Sequence, residues 1–290
     1  MTTDADRAAS LGFESRFADV NGTRLHHVIG GTGSPLVLLG GWPQTWWQFR
    51  KIMPALAERH RVVVAEIRGQ GASAKPESGY DKKTMARDVH ELLRHLDIGR
   101  ADVAGHDIGA MVAHSLAANH PESVRRLVLL DVPHPDESMY QFPLVPRPGA
   151  PIHKWWFAFN QIRGLPERLL AGRSRHLIDH LCELMLVDQD AIPAEDREIY
   201  AAVYDQPESI RAANGWYQTW GQDIEDVKTY PKLTLPVLAL VCKANFDYVR
   251  SVVDRQVVGA DVRLLADTGH YLAEEQPEEV IRHLQGFLAA

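Results

Sequence analysis

The sequence predicts an α/β fold in which a mostly parallel sheet is flanked by helices and carries an inserted helical segment. Short apolar runs alternate with longer amphipathic stretches, as strands and helices do in parallel sheets. The region 134–231 interrupts this alternation because it contains no convincing buried strand. We therefore expect a core formed by residues 1–133 and 232–290, with 134–231 inserted as a helical cap.

The strands of the core are predicted from short runs rich in Val, Leu or Ala. Before the first strand of the parallel sheet, the pair Asn21-Gly22 is a strong signal for a two-residue hairpin turn. It lies between two runs with a strand pattern, Glu14 to Val20 and Thr23 to Ile29. The predicted buried strands that follow are Pro35 to Leu39, Arg61 to Ala65, Ala101 to Gly105, Arg126 to Leu130, Pro236 to Val241 and Asp261 to Leu265.

Helices are predicted between these strands from apolar residues that recur on one face. The segment Asp81 to Leu96 has this pattern, with Asp81 as a potential N-cap, and a second helical pattern covers Ala110 to Asn119. The proposed cap opens among residues that break regular structure. These are Pro133, Pro135, Pro143, Pro146, Pro148 and Pro151.

Composition and charge restrict the class of protein. The 290 residues are 45% apolar and 24% charged, which fits one large globular core. The net charge is -7, and Lys and Arg do not cluster, so nucleic acid and anionic membranes are not expected partners. With two cysteines and a polar, acidic first ten residues, the chain is expected in the reducing cytoplasm. Nothing indicates a metal or organic cofactor, and a homodimer is left open.

The candidate nucleophile is Asp107. The run after the strand Ala101 to Gly105 reads Gly105-His106-Asp107-Ile108-Gly109-Ala110 and leads into a helical pattern. This is the strand, sharp turn and helix of a nucleophile elbow, in which flanking glycines let the backbone turn tightly. Asp occupies the position of the serine in an esterase. The alternative is a structural Asp in a turn.

A carboxylate nucleophile restricts the chemistry. Attack by serine on an sp3 carbon would give a stable ether, whereas attack by a carboxylate gives an ester. Water activated by a histidine can hydrolyse that ester and regenerate the Asp. The expected substrate carbon therefore bears an alkoxide-like or halide leaving group, as in epoxides and haloalkanes.

His270 is the candidate base, because it lies in the loop at the end of the strand Asp261 to Leu265, from which a neighbouring elbow can be reached. The lesser candidates, on position alone, are His106, His134 and His153. The acid that orients it is assigned to Asp131, at the end of the strand Arg126 to Leu130, with Asp247 as the alternative. Asn245 stands where many hydrolases carry the acid, but it has no negative charge to stabilise an imidazolium.

These motifs resemble the epoxide hydrolase and haloalkane or haloacetate dehalogenase branch of the α/β-hydrolase superfamily, over nearly the whole chain. The resemblance implies the α/β-hydrolase fold with its cap. The spacing of 131 − 107 = 24 residues is similar to that of members whose acid precedes the cap, which supports Asp131. Gly41-Trp42-Pro43 resembles the family's H-G-x-P turn, with Gly40 in place of the histidine. By this match, the backbone N–H groups of Trp42 and Ile108 form the oxyanion hole.

The resemblance also implies cap residues that meet the leaving group. Tyr217 is similar to the cap tyrosine that donates to the epoxide oxygen, and Trp156 to a position whose ring N–H faces the leaving atom. Trp155, Trp42 and Ile108 are expected to contact the substrate.

Epoxide hydrolysis is the favoured function, with dehalogenation of a neutral substrate as the alternative. Haloacetate dehalogenases carry arginines after the nucleophile, where this chain has Ile108 and Met111, so a neutral and more apolar substrate is expected. The aromatic residues of the cap suggest a flat or polycyclic epoxide. A second alternative is a ligand-binding relative that has lost catalysis.

Overall fold

Eight strands form a single sheet in the order β1-β2-β4-β3-β5-β6-β7-β8. The computed structural model describes residues 2–145, 148–149 and 153–289. The strands are β1 (Glu14–Val20), β2 (Thr23–Gly30), β3 (Ser34–Leu39), β4 (His60–Ala65), β5 (Ala101–His106), β6 (Val124–Leu130), β7 (Val237–Cys242) and β8 (Asp261–Leu265).

The sheet is parallel apart from its first two strands. β1 pairs antiparallel with β2 through the predicted hairpin, and β2 pairs antiparallel with β4. The pairs from β4 through β3, β5, β6 and β7 to β8 are all parallel. The carboxyl ends of these strands therefore meet at one edge of the sheet, where ligands bind in open α/β folds.

The predicted strands are confirmed to within two residues at each end, with one error of burial. Asp261–Leu265 was expected to be buried, but only Leu265 of this strand is buried. The physical reason is position, since β8 pairs only with β7 and forms the edge of the sheet.

Helices cover both faces of the sheet, and the apolar side chains of each face form their own cluster. The helices are α1 (Asp4–Ser10), α2 (Met53–Ala57), α3 (Lys82–His95), α4 (Ile108–Asn119), α5 (Trp155–Phe159), α6 (Leu165–Leu170), α7 (Ser174–Met185), α8 (Ala194–Tyr204), α9 (Pro207–Gln218), α10 (Trp220–Val227), α11 (Phe246–Gln256), α12 (Leu272–Glu275) and α13 (Pro277–Ala289).

Asp81 caps α3 as predicted, because its side chain accepts a hydrogen bond from the backbone N–H of Thr84. The helix predicted from Ala110 begins two residues earlier, at Ile108. No helix within the described residues is long and apolar enough to cross a membrane.

The residues between β6 and β7 contain helices α5 to α10, and the described part of this segment contains no strand. A buried ion pair ties the segment to the core: Nζ of Lys82, on α3, donates to Oδ2 of Asp223, on α10, at 2.9 Å. Both side chains are fully buried. Pro146 and Pro151, which belong to the predicted cluster of breakers, lie outside the described residues.

Candidate active site

Asp107 occupies a sharp turn between β5 and α4. Its φ of 54° and ψ of -125° lie outside the region that ordinary residues favour. Glycine is required on both sides of the turn. A Cβ atom at Gly105 would lie 2.3 Å from the carbonyl oxygen of Gly109, and one at Gly109 would lie 2.2 Å from that of Leu39. The local sequence thus fixes Asp107 at the carboxyl edge of the sheet.

Two backbone N–H groups face the Asp107 carboxylate. The amide of Trp42 donates to its Oδ1 at 2.9 Å, and the amide of Ile108 also hydrogen-bonds to it. Gly41 makes the approach possible, because a Cβ there would lie 2.4 Å from the Cβ of Asp107. The turn motif predicts these two backbone groups as the oxyanion hole, and that role stays a prediction.

Two glutamines support the turn that carries Trp42. A Cβ at Gly40 would lie 2.2 Å from Nε2 of Gln48. Because Gly40 has no side chain, Gln48 can occupy this space. Gln48 contacts Nδ1 of His106 at 2.8 Å. Gln70 donates to the backbone carbonyl of Gly41 at 3.2 Å. The substitution of Gly40 for histidine is therefore accompanied by a different set of hydrogen bonds around the turn.

His270 lies between two carboxylates. Its Nδ1 is 2.7 Å from Oδ2 of Asp131, and its Nε2 is 3.6 Å from Oδ2 of Asp107. Asp131 is fully buried and also accepts hydrogen bonds from the backbone amide of Cys242 at 2.9 Å and from Nδ2 of Asn245 at 2.7 Å. The competing acid, Asp247, is exposed on α11.

The charges of this group stabilise one another. Burial alone would raise the pKa of Asp107, but the neighbouring His270 and the Ile108 N–H hold it below its usual range. Burial alone would lower the pKa of His270, but Asp107 and Asp131 raise it to about 9. Both shifts favour the charged forms of the two groups.

A narrow inner cavity of about 40 Å³ lies against Asp107. Tyr217, on α9, lines it and is buried with an edge-to-face contact to Trp42. Burial and the charge of Asp107 raise the pKa of the Tyr217 phenol well above its usual value. The other lining residues are Met111, Asp131, Val132, Pro133, Met139, Phe142, Lys154, Phe157, Trp220, Asn245 and Tyr248.

The sheet order, the elbow and the approach of the strand ends identify the fold family. A model of the alpha/beta hydrolase fold matches residues 34–219. The chain belongs to this family. It is 36% identical to a soluble epoxide hydrolase of Corynebacterium sp. (strain C12), across 94% of this chain and 96% of that protein. It is 29% identical to a fluoroacetate dehalogenase of Burkholderia sp, across 96% and 94% of the two chains.

Solved structures agree with these likenesses. The unliganded epoxide hydrolase CorEH superimposes with a TM-score of 0.86 at 33% identity, over 96% of this chain and 99% of that one. The present chain is thus an α/β hydrolase whose relatives include epoxide hydrolases and a dehalogenase.

A wider outer cavity of this hydrolase, of about 410 Å³, adjoins the inner one. The two cavities share seven lining residues: Met139, Phe142, Lys154, Phe157, Trp220, Asn245 and Tyr248. Because most of these are aromatic or apolar, the walls suit a ligand with an apolar body.

Not every residue expected at the site of the α/β hydrolase lies there. Trp155 lines the outer cavity. Trp156 is absent from the residues that line the inner cavity, and its ring packs edge-on against Trp155 and Phe157. Trp220 lines the inner cavity instead, and its buried indole N–H has no hydrogen-bond partner among the described residues. A role for Trp156 at the leaving group stays a prediction.

The sequence analysis missed Glu275, which holds the His270 loop in place. Its Oε1 accepts from the backbone amide of Gly269 at 2.9 Å, and its Oε2 accepts from that of Val187 at 2.7 Å. The backbone amide of His270 donates to the carbonyl of Met185 at 3.0 Å. A buried position in a helical pattern gives no signal of such a contact.

One other group of side chains in the described residues could ligate a cation. His90, His120 and Glu122 present ligand atoms within 4.8 Å of one another. This group lies at the far end of α4, about 18 Å along that 12-residue helix from Asp107, since each residue adds about 1.5 Å. It is therefore not part of the site at Asp107.

Proposed function

We propose that this α/β hydrolase opens epoxides through a covalent ester on Asp107. The observation that carries this proposal is the placement of the Asp107 carboxylate. It lies 3.6 Å from Nε2 of His270, accepts a hydrogen bond from the backbone N–H of Trp42 and lines the inner cavity. A carboxylate at an elbow, with a histidine beside it, suits a two-step displacement.

In the first step, an oxygen of Asp107 attacks a ring carbon of the epoxide. The carbon–oxygen bond of the ring breaks, and the electron pair goes to the leaving oxygen. The lowered pKa of Asp107 keeps the nucleophile ionised at neutral pH. The imidazolium of His270 does not accept a proton in this step.

In the second step, water attacks the carbonyl carbon of the ester. The N–H groups of Trp42 and Ile108 stabilise the oxyanion, and His270 takes a proton from the water. The bond between the carbonyl carbon and the substrate oxygen then breaks, the diol leaves with the proton from His270, and the regenerated Asp107 carboxyl ionises by giving its own proton to His270. Esterification removes the negative charge of Asp107, which is one of the causes of the raised pKa of His270. The pKa of His270 therefore falls after the first step, the imidazolium releases its proton to solvent, and the neutral imidazole becomes available as a base. Asp131 keeps it oriented.

The described parts of the segment 134–231 are proposed to act as the cap over this site. Tyr217 and Phe157, from that segment, line the inner cavity opposite Asp107 and Met111 of the core. The cavity walls suit an epoxide with an apolar or aromatic body. Tyr217 is placed to hydrogen-bond the leaving oxygen.

Dehalogenation is the second candidate. It is favoured by the relative named as a fluoroacetate dehalogenase and by the unpaired indole N–H of Trp220 in the inner cavity, which could bind a halide. A binding protein without activity is disfavoured, because binding alone does not require a histidine oriented by Asp131 next to Asp107.

Product analysis with a small panel of aryl epoxides and matched haloalkanes tests the proposal. We expect diols from the epoxides, with Asp107→Ala as the inactive control. Release of halide without diol formation would favour dehalogenation, and the absence of both products from a folded enzyme would contradict the proposal.

A further inference from the structure

A lysine lines both cavities of the protein. Lys154 lies directly before α5 and contributes to the wall of the inner cavity beside Asp107 and to the wall of the outer cavity. Its side chain thus connects the buried site with the more open space in front of it.

The ammonium group of Lys154 is held without an ion pair. Its Nζ donates to Oδ1 of Asn245 at 3.2 Å and lies 4.6 Å from the ring centre of Phe142 and 5.4 Å from that of Tyr248. Among residues 2–145, 148–149 and 153–289, no carboxylate lies within ion-pair distance of Nζ. The aromatic faces and the amide therefore hold a cation that is not neutralised by a partner.

Burial lowers the pKa of Lys154, although Asp131, Cys242 and Asp107 act in the opposite direction. A lysine in such a setting gives up its proton more readily than one in water. The Tyr217 phenol differs, since burial and the charge of Asp107 raise its pKa and make it a weaker acid than usual. Of the ammonium and the phenol, the ammonium is the stronger acid.

We propose that Lys154 is a catalytic residue that protonates the leaving oxygen when the epoxide opens. The inference rests on the proposed function. The carboxylate of Asp107 forms a bond to the ring carbon, the ring carbon–oxygen bond breaks, and the alkoxide takes a proton from the ammonium group. The products of this step are the neutral amine of Lys154, a hydroxyl group on the substrate and the ester on Asp107. Tyr217 hydrogen-bonds the same oxygen and orients it.

The amine regains its proton from solvent through the outer cavity. That cavity has a volume of about 410 Å³, compared with about 40 Å³ for the inner one. Lys154 is half-buried and lines this larger space, which has room for water next to its side chain. Because the lysine side chain has four carbons and rotatable bonds, it can move its amino group between the two cavities. The overall cycle then consumes one water and leaves every protein group as it started.

Single-turnover consumption of 1,2-epoxypropane with enzyme in excess tests this role, because loss of the epoxide reports the first step alone. Lys154→Met should slow it by roughly 10²-fold, the usual size of an acid–base contribution. In Lys154→Arg the guanidinium keeps the positive charge but holds its proton much more tightly than an ammonium group, so epoxide consumption by this variant should also be slow. Lys83→Met, at an exposed lysine of α3, is the matched control and should react at the parent rate.

A second substrate separates proton donation from a structural role. In 3,3,3-trifluoro-1,2-epoxypropane the leaving alkoxide is less basic and needs a proton less. The deficit of Lys154→Met relative to the parent should therefore shrink severalfold with this substrate. Loss of packing or of charge balance at Asp131 would slow both substrates by the same factor.

The outcomes distinguish the two proposals. A parent enzyme that consumes no epoxide overturns both. If the parent consumes epoxide, then parent-like rates for Lys154→Met, full recovery by Lys154→Arg, or an equal deficit with both substrates would each overturn the role of Lys154 and leave the ester mechanism standing.

Discussion

Oδ2 of Asp131 lies 2.7 Å from Nδ1 of His270, whereas Oδ2 of Asp107 lies 3.6 Å from Nε2 of the same ring. One imidazole therefore lies between two carboxylates, and its charge depends on both. Because the two carboxylates contact different nitrogens of the ring, each Asp can be substituted separately and the effect on the pKa or the activity of His270 measured. The predictions below use this relationship.

Asp107→Asn should lower the pKa of His270. In the parent, the two carboxylates raise this pKa to about 9 against the effect of burial. Removing one charge leaves burial and Asp131, so the imidazolium should lose its proton at a lower pH. NMR titration of the imidazole nitrogens, assigned by comparison with His270→Gln, measures the midpoint. Asp247→Asn is the control, and an unchanged midpoint in Asp107→Asn would contradict the proposed change of the base during the cycle.

His270→Gln should allow the first step and stall the second, because ester formation needs no base whereas ester hydrolysis does. Intact-protein mass spectrometry after exposure to an epoxide that the parent consumes should show one substrate-sized adduct. Peptide mapping should place it on Asp107. Protein that stays unmodified after prolonged exposure would count against this division of roles.

Asp131→Asn should reduce turnover by on the order of 10² to 10⁴-fold, since the neutral amide cannot stabilise the imidazolium or hold its tautomer. Asp247→Asn should have little effect, because that side chain is exposed on α11. The two variants differ equally little in size from the parent. If Asp247→Asn were the damaged enzyme, the acid would follow β7 rather than β6.

Tyr217→Phe should slow single-turnover opening of an epoxide by roughly 10²-fold, because a hydrogen bond to the developing alkoxide is lost. Trp156→Phe should have a smaller effect, since it removes one ring N–H while Tyr217 remains in place, and the Trp156 ring does not line the inner cavity. A Tyr217→Phe enzyme that opens the epoxide at the parent rate would exclude the role given to this tyrosine.

The fold and the elbow could be predicted because their signals are local. Gly105 and Gly109 are required by contacts within a few residues of Asp107 and with β3, and the buried strands carry their own apolar pattern. The edge position of β8 depends on which strands pair, so its exposure could not be read from its own residues.

The cap residues were harder to predict because their orientation depends on packing. Trp156 and Trp220 are both buried indoles, but only Trp220 lines the inner cavity. The position of Lys154 depends on Phe142, Asn245 and Tyr248, which are distant in sequence. No pattern around Lys154 itself indicates a buried cation.

The covalent ester on Asp107 is the central claim, and a single turnover in H₂¹⁸O tests it most directly. With enzyme in excess over a consumed epoxide, the oxygen added to the substrate should come from the Asp107 carboxylate, so the diol should contain no ¹⁸O. Mass spectrometry of the peptide that contains Asp107 should show one ¹⁸O after that turnover. A diol that contains ¹⁸O from the first turnover, with an unlabelled Asp107, would mean that water attacks the epoxide directly and would contradict the mechanism.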